Sequence, residues 1–315
     1  MLLRYAISLW GLCIVLVIGA LLVGQRYPAD LIAFESNRGN LNLPVIFLLD
    51  LRTGLLEPVT SPSELAIQPT WSPDGGYLAY QSAIQTGDGA TSVIRAFPLS
   101  NPGAPIDIVR NAIHPAWSPD GRYIAFSRYD GMVSTNNIHV YDLQTRMVTN
   151  IAPSMEVAQY LPAWSPDGAQ IAVNGTSPFN RSVTSIYTFE FAQPPEERVF
   201  LWETSDASIA AQPVWLDAAS LLFTSSTGNR YESLNRTMAA SGSADVTISL
   251  PLTFIEYPDV SSDGTRIVFS ARDASGQGTR SLYMANPDGT DIRRLTYPDD
   301  DRTADTAPVW RPRLR

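Results

Sequence analysis

Hydrophobic and polar positions along this 315-residue chain fall into two regimes. From Tyr5 to Gly24, twenty consecutive residues carry no charge (YAISLWGLCIVLVIGALLVG). At ~1.5 Å per residue, a helix of that length spans the ~30 Å hydrocarbon core of a bilayer. Beyond it, apolar residues come in short runs bounded by Pro, Asp, Gly and Ser: Leu31–Phe34, Tyr77–Tyr80, Tyr123–Phe126, Gln170–Val173, Leu221–Thr224 and Ile267–Ser270. Runs of that length and composition predict buried β-strands. Nowhere after the first segment do apolar residues recur at i, i+3 and i+4 over ten or more positions, so an α-solenoid is excluded.

The runs belong to a repeat. Pro69-Thr-Trp-Ser-Pro-Asp-Gly75, Pro115-Ala-Trp-Ser-Pro-Asp-Gly121 and Pro162-Ala-Trp-Ser-Pro-Asp-Gly168 are nearly identical, and each leads into one of the runs above. Pro213-Val-Trp-Leu-Asp217, Pro258-Asp-Val-Ser-Ser-Asp-Gly264 and Pro308-Val-Trp-Arg-Pro312 are eroded copies. The tryptophan position falls at Trp71, Trp117, Trp164, Trp215, Val260 and Trp310, with spacings of 46, 47, 51, 45 and 50 residues. That period is one four-stranded propeller blade. Within the motif, Pro pre-sets φ, Asp satisfies local N–H groups and Gly takes the left-handed position, so Ser-Pro-Asp-Gly predicts a tight hairpin turn between the first and second strands. Tryptophan, ending the first strand, is expected to fill the wedge between blades. Third and fourth strands follow at Ile138–Tyr141 and Met147–Ile151, and at Ser281–Met284 and Ile292–Thr296.

The ends of the repeat predict how the ring closes. Leu31–Phe34, Val45–Leu49 and Leu56–Thr60 read as second, third and fourth strands with no first strand before them. Pro308–Pro312 reads as a first strand with nothing after it. Joined, they make one blade, and closure removes the exposed sheet edges of an open array. The expected fold is all-β: a six-bladed propeller of four-stranded antiparallel blades over residues 31–315, preceded by a transmembrane helix within residues 1–26 and a linker at 27–30.

The sequence Trp-Ser-Pro-Asp-Gly followed by Ile-Ala-Phe, then an Ile-Tyr-like strand, Asn286-Pro-Asp-Gly289 and Arg293-Arg-Leu-Thr296, resembles the TolB-type, WD-like β-propeller repeat. The resemblance covers about residues 31–315. It implies a six-bladed fold and an extracytoplasmic, non-catalytic binding role in the bacterial envelope. The N-terminal α/β domain that accompanies the repeat in TolB has no counterpart here, where the apolar segment stands instead. The same repeat occurs in the propellers of prolyl-oligopeptidase-type peptidases and in oligogalacturonate lyases.

Composition narrows the function. Net charge is −9, which argues against nucleic acid as a partner. All 22 basic residues are arginine, which excludes lysine Schiff-base chemistry and lysine-bearing phosphate loops. One cysteine, Cys13, and two histidines, His114 and His139, leave no disulfide and no conventional metal-ligand set, so no metal or cofactor is expected. Cys13 sits mid-segment behind Leu12 and reads as a membrane-facing thiol. The apolar run is longer than a ~7–15-residue signal-peptide core, and Ala20–Gly24 makes a poor cleavage site. A retained anchor with the propeller outside the cytoplasm is therefore favoured, with a secreted or periplasmic product after signal cleavage as the alternative. The flanking Arg4 and Arg26 bias orientation only slightly.

Candidate chemistry is sparse. A peptidase would need Gly-x-Ser-x-Gly and a hydrolase domain, and the sequence has neither. His139 lies within a strand and reads as a packing residue. Asp74, Asp120, Asp167 and Asp263 read as turn residues of the hairpins, with no catalytic or calcium-binding role, and no catalytic residue is assigned. The residue before each repeat proline is more informative: Gln68, His114, Leu161, Gln212, Tyr257 and Ala307. Propeller geometry places these six at one mouth of the central channel, where Gln68, His114, Gln212 and Tyr257 could hydrogen-bond a ligand. The loops between second and third strands should share that face, and they carry Arg38, Arg128, Arg181, Arg230 and Arg272 beside Glu35, Asp130, Glu232 and Asp273. These arginines suit carboxylates or protein partners, or they brace the loops against the neighbouring acids. Asp299–Asp301 with Asp305 offers a cation or basic-peptide site, or an acidic solvated loop. The expected function is membrane-anchored, non-catalytic binding of a protein, peptide or envelope glycan at the channel mouth. The alternative is a lyase or hydrolase acting on a saccharide or ester in the channel.

Overall fold

Strand-length apolar runs joined by Pro-Asp-Gly turns pair with their nearest neighbours in sequence, and here they do so repeatedly around an axis. The computed structural model describes residues 30–39, 43–87, 89–130, 135–151, 158–176, 184–194, 202–203, 209–226, 233–239, 245–298, 300 and 302–313. The anchor expected at Tyr5–Gly24 lies outside the described residues; among the described residues no helix is long and apolar enough to cross a membrane.

Six four-stranded antiparallel blades form the molecule. Blade 1 comprises β1 (Leu31–Ser36), β2 (Val45–Asp50) and β3 (Leu56–Pro58), with its innermost strand supplied from the far end of the chain by β24 (Asp305–Trp310). Blade 2 is β4 (Ile67–Trp71) to β7 (Ile106–Arg110), with β5 at Tyr77–Thr86 and β6 at Gly89–Pro98. Blade 3 runs through β8 (Ile113–Trp117), β9 (Tyr123–Asp130), β10 (Thr135–Asp142) and β11 (Val148–Asn150). Blade 4 holds β12 (Gln159–Trp164), β13 (Gln170–Thr176), β14 (Thr184–Glu190) and β15 (Trp202–Glu203). Blade 5 holds β16 (Ile209–Trp215), β17 (Ser220–Ser226), β18 (Ser233–Met238) and β19 (Val246–Ile248). Blade 6 holds β20 (Thr253–Val260), β21 (Ile267–Arg272), β22 (Ser281–Ala285) and β23 (Arg293–Arg294). A single parallel bridge, Thr184 to Ile209, links the outer part of blade 4 to blade 5.

The core lies between blades rather than at the axis. One cluster packs Leu31, Ile46 and Leu48 of blade 1 against Trp71, Tyr80 and Phe97 of blade 2. Another packs Ile138 and Val140 of blade 3 against Ile171, Val173 and Tyr187 of blade 4. The repeat turn is the hairpin expected: the N–H groups of Gly75, Gly121, Gly168 and Gly264 donate to the carbonyls of Ser72, Ser118, Ser165 and Ser261 at 2.8–3.0 Å. Gly75 has φ of +62°, a left-handed position where a side chain would also meet Arg311. The serine hydroxyl donates to the turn aspartate at 2.5–2.7 Å in all four copies. Asp74, Asp120, Asp167 and Asp263 are thus turn scaffold, and Asp217 does the same work in the rebuilt turn of blade 5 by accepting from Ala219 and Ser220 N–H.

Tryptophan forms the wedge, with a polar latch. The indole N–H of Trp71 donates to Val309 O (3.3 Å), that of Trp164 to Ala116 O (3.2 Å) and that of Trp215 to Ala163 O (3.0 Å), each on the preceding blade. Trp117 differs, donating to Gly121 O of its own hairpin at 3.2 Å. Ring closure is as the ends of the sequence predict. β24 pairs β1, and Asp305, wholly buried, accepts from Ser36 Oγ at 2.7 Å and forms an ion pair with Arg38. Asp305 is therefore no part of an acidic solvated loop. Burial of its carboxylate is compensated by Arg38 reaching across the closing seam. Asp300 caps its own turn, accepting from Arg302 and Thr303 N–H.

Candidate functional site: the mouth of the central channel

Each innermost strand breaks its ladder at the same dipeptide, and β20 carries a second break at Phe254-Ile255. Pairing skips one register step at Gln68-Pro69, His114-Pro115, Leu161-Pro162, Gln212-Pro213, Tyr257-Pro258 and Ala307-Pro308. In every blade the two residues oppose one on the second strand, which defines a β-bulge. Proline has no N–H to give the ladder, so the break is built into the motif. The residue before it then adopts φ of +46° to +58°, although none of the six is glycine. A left-handed φ at an ordinary residue costs about 1–3 kcal/mol and persists only where its surroundings enforce it.

In three blades a side chain of the adjacent blade holds this residue through its N–H. Gln68 N–H donates to Glu35 Oε1 at 2.7 Å, His114 N–H to Gln81 Oε1 at 3.1 Å and Tyr257 N–H to Gln212 Oε1 at 2.9 Å. Gln212 Oε1 also accepts from Thr224 Oγ1 at 2.9 Å. Glu35 and Gln81 occupy one column, the residue after the apolar run of each second strand; the others are Ser127, Asn174, Thr224 and Ser270. Where the column holds Ser127, the hydroxyl is buried without a hydrogen-bond partner, as are both amide atoms of the wholly buried Gln159 on the facing strand. This column of supporting side chains was not singled out from the sequence. Its signal was available, six polar residues in register at the ends of apolar runs.

All six residues before the prolines, and the six prolines themselves, line one half of the axial channel, a cavity of about 250 Å³. The second half, about 690 Å³, opens at the hairpin end and is lined by Asp74, Trp71, Trp164 and Trp310 among others. Asp259 lines both halves. Its Oδ2 accepts the Trp310 N–H at 2.5 Å, and burial pushes its carboxyl up to about 6.

Electrostatics at the mouth follow from desolvation. Glu35, despite its hydrogen bonds from Gln68 and Thr306, is pushed up to about 7. Burial pulls the His114 imidazole down to about 4, and its buried Nδ1 has no hydrogen-bond partner. The ring packs edge-on against Tyr160 at 6.0 Å. Glu256 is raised by burial, opposed by its ion pair with Arg280 at 3.0 Å.

The structure therefore brings Gln68, His114, Gln212 and Tyr257 together. The arginines near them are held internally. Arg38 pairs with Asp305; Arg128 donates to the carbonyls of Arg110 (2.8 Å) and Asn111 (3.2 Å); Arg272 lies over the Phe254 ring at 4.6 Å. Arg181 and Arg230 lie outside the described residues. His139 packs inside blade 3, stacked on Phe126 at 5.8 Å. Among the described residues no three His, Cys, Asp or Glu side chains are grouped to hold a metal ion.

A closed ring of six blades around a polar-mouthed channel makes this a β-propeller protein whose distinctive side chains converge on the axis. Residues 106–313 match the family described as the TolB beta propeller domain, and the chain belongs to that family. Its fold is similar to that of TolB from Acinetobacter baumannii, with a TM-score of 0.70, 20% identity, and coverage of 90% of this chain and 67% of that one. It is also similar to a putative TolB from Agrobacterium tumefaciens (TM-score 0.65, 19% identity, 89% and 98% covered). More distantly it is similar to the oligogalacturonate lyase of Vibrio parahaemolyticus (TM-score 0.51, 13% identity, 85% and 73% covered). No curated protein matches the chain.

Proposed function

We propose that this chain is a non-catalytic binding propeller that holds a segment of a protein or peptide, or an envelope glycan, at the bulged mouth of its channel. Residues 5–24 anchor it in the membrane with the propeller outside the cytoplasm. The observation that carries the reading is the ring of six strained, non-glycine residues lining one mouth, three of them pinned through their N–H by the neighbouring blade. Strain held by a rigid scaffold at a concave polar surface is the signature of a pre-organised ligand site. Family membership supports the reading.

The test is capture from a detergent extract of the source membrane, using the full-length chain and a His114→Ala/Tyr257→Ala double variant. The expected result is loss of the partner by a variant that melts normally. Unchanged capture removes the site from this mouth. The enzymatic alternative rests on Asp259 and His114, which both line the channel cavity. Turnover of oligogalacturonate or an aryl ester by the wild type, abolished in Asp259→Asn, would replace the binding reading.

A further inference from the structure

The waist of the channel carries one charge that the scaffold does not need. Between the repeat proline and the tryptophan position the six blades carry Thr70, Ala116, Ala163, Val214, Asp259 and Val309. All six line the mouth half of the channel, and all but Ala116 also line the hairpin half, so they form the ring where the halves meet. Asp259 is its one ionisable member. The carbonyls of three others already accept indole N–H groups: Val309 from Trp71, Ala116 from Trp164 and Ala163 from Trp215.

The structural task of Asp259 is done elsewhere without a charge. Its Oδ2 accepts the backbone N–H of Trp310 in the next blade at 2.5 Å. Thr70 Oγ1 accepts the N–H of Trp117 in the same way at 3.4 Å. The other four blades hold Ala or Val at this place, whose side chains accept nothing. Burial nevertheless pushes the Asp259 carboxyl up to about 6, with backbone N–H groups and no arginine among the described residues to relieve it. At pH 7.5 it is an anion without a counter-charge, an arrangement that costs stability. The mouth half supplies no cation, since its other ionisable side chains are Tyr257 and His114, the latter kept neutral by burial. In the hairpin half Arg313 is held by Asp30, and Asp74 by its own turn.

We propose that the bound protein segment inserts a lysine side chain through the mouth and sets its ammonium against Asp259 at the waist. The inference rests on the mouth being the binding face and adds what that face selects. The six repeat prolines, with Ala116, Ala163, Val214 and Val309, give an aliphatic stem an apolar collar. A single carboxylate with one oxygen already engaged suits a point-charge ammonium better than a guanidinium fork, which needs two aligned acceptors. An amino sugar would press its hydroxyls against the same collar and leave them unpaired.

The test is a ligand-detected NMR titration of the full-length chain at pH 7.5 with acetyl-Gly-Lys-Gly-amide, its norleucine and arginine counterparts, and glucosamine. Expected is saturable binding of the lysine peptide, with the other three weaker by about ten-fold or more. Asp259→Asn keeps an acceptor for the Trp310 N–H, and Asp259→Thr installs what blade 2 already uses. Each should weaken the lysine peptide by about ten-fold or more. Both should melt at or above the wild-type temperature at pH 8, because each removes an unpaired anion, whereas a purely structural Asp259 would lower it. No binding of the lysine peptide by the wild type, equal binding of any of the other three, or unaltered affinity in both variants overturns the proposal. Capture from the membrane extract separates this inference from the reading beneath it. A partner lost by His114→Ala/Tyr257→Ala but retained by Asp259→Asn leaves the binding face in place and overturns the lysine assignment; a partner retained by both overturns the two together.

Discussion

Glu35 shows what one residue contributes when its surroundings are set by another blade. Its ordinary value of 4.5 rises to about 7 because burial penalises the carboxylate more than Gln68 N–H and Thr306 relieve it. Between those values the folded chain keeps a proton that the unfolded chain releases, so the contribution is full below pH 4.5 and is lost as pH rises through 7. His114 works in the opposite sense. With its value depressed to about 4, it costs stability as pH falls below 6.5. Glu35→Gln keeps an acceptor for Gln68 N–H without the charge. Denaturant titration should show the variant more stable than wild type at pH 8, by on the order of 1–3 kcal/mol, and equal to it at pH 4. Equal stability at both pH values would mean the carboxyl is not desolvated. None of this was legible in the sequence, because Glu35 and Gln68 are 33 residues apart and meet only when blades 1 and 2 pack.

At the scale of elements, the hairpin was legible and the bulge was not. Ser-Pro-Asp-Gly encodes its turn locally in three blades, and the eroded Ser261-Ser-Asp-Gly264 folds with the same bonds. The proline a few residues earlier announces a break in a ladder, yet the left-handed residue before it, and the side chain of the neighbouring blade that in three copies catches its N–H, come only with the assembled ring. The tryptophan was correctly read as a wedge, while its indole bond to the preceding blade needed the assembled neighbour. Trp215 is 4% exposed and donates to Ala163 O. Trp215→Ala should cost about 3–5 kcal/mol by calorimetry. Trp215→Phe, which retains most of the packing, should lose about 1 kcal/mol for the hydrogen bond plus a smaller volume term. A near-zero cost for Trp215→Ala would show that blades 4 and 5 are held by other contacts.

For the whole molecule, the closing seam joins the two ends of the chain through a buried ion pair. β24 completes blade 1 from residues some 270 positions away, and Asp305 is buried there with Ser36 and Arg38 as partners. Arg38→Met leaves a buried carboxylate without its cation and should cost about 3–5 kcal/mol. Arg38→Met/Asp305→Leu, which removes both charges, should recover a substantial part of that loss. A chain ending before Asp305 exposes the edge of β1, and size-exclusion chromatography should find it as oligomers.

The blade count, the hairpins, the wedge and the way the termini close were all set by local pattern: a period of 45–51 residues, turn-forming tetrapeptides, and an unpaired strand at each end. These depend on residues near one another in the chain, where side-chain size, turn chemistry and spacing act directly. The tertiary structure decided the rest. It turned Asp305 and Arg38 from surface charges into a buried seam, fixed six ordinary residues in a left-handed conformation, and shifted Glu35 and His114 toward each other's range. Each of these depends on burial and on partners contributed by a neighbouring blade, and desolvation acts only once the ring has closed.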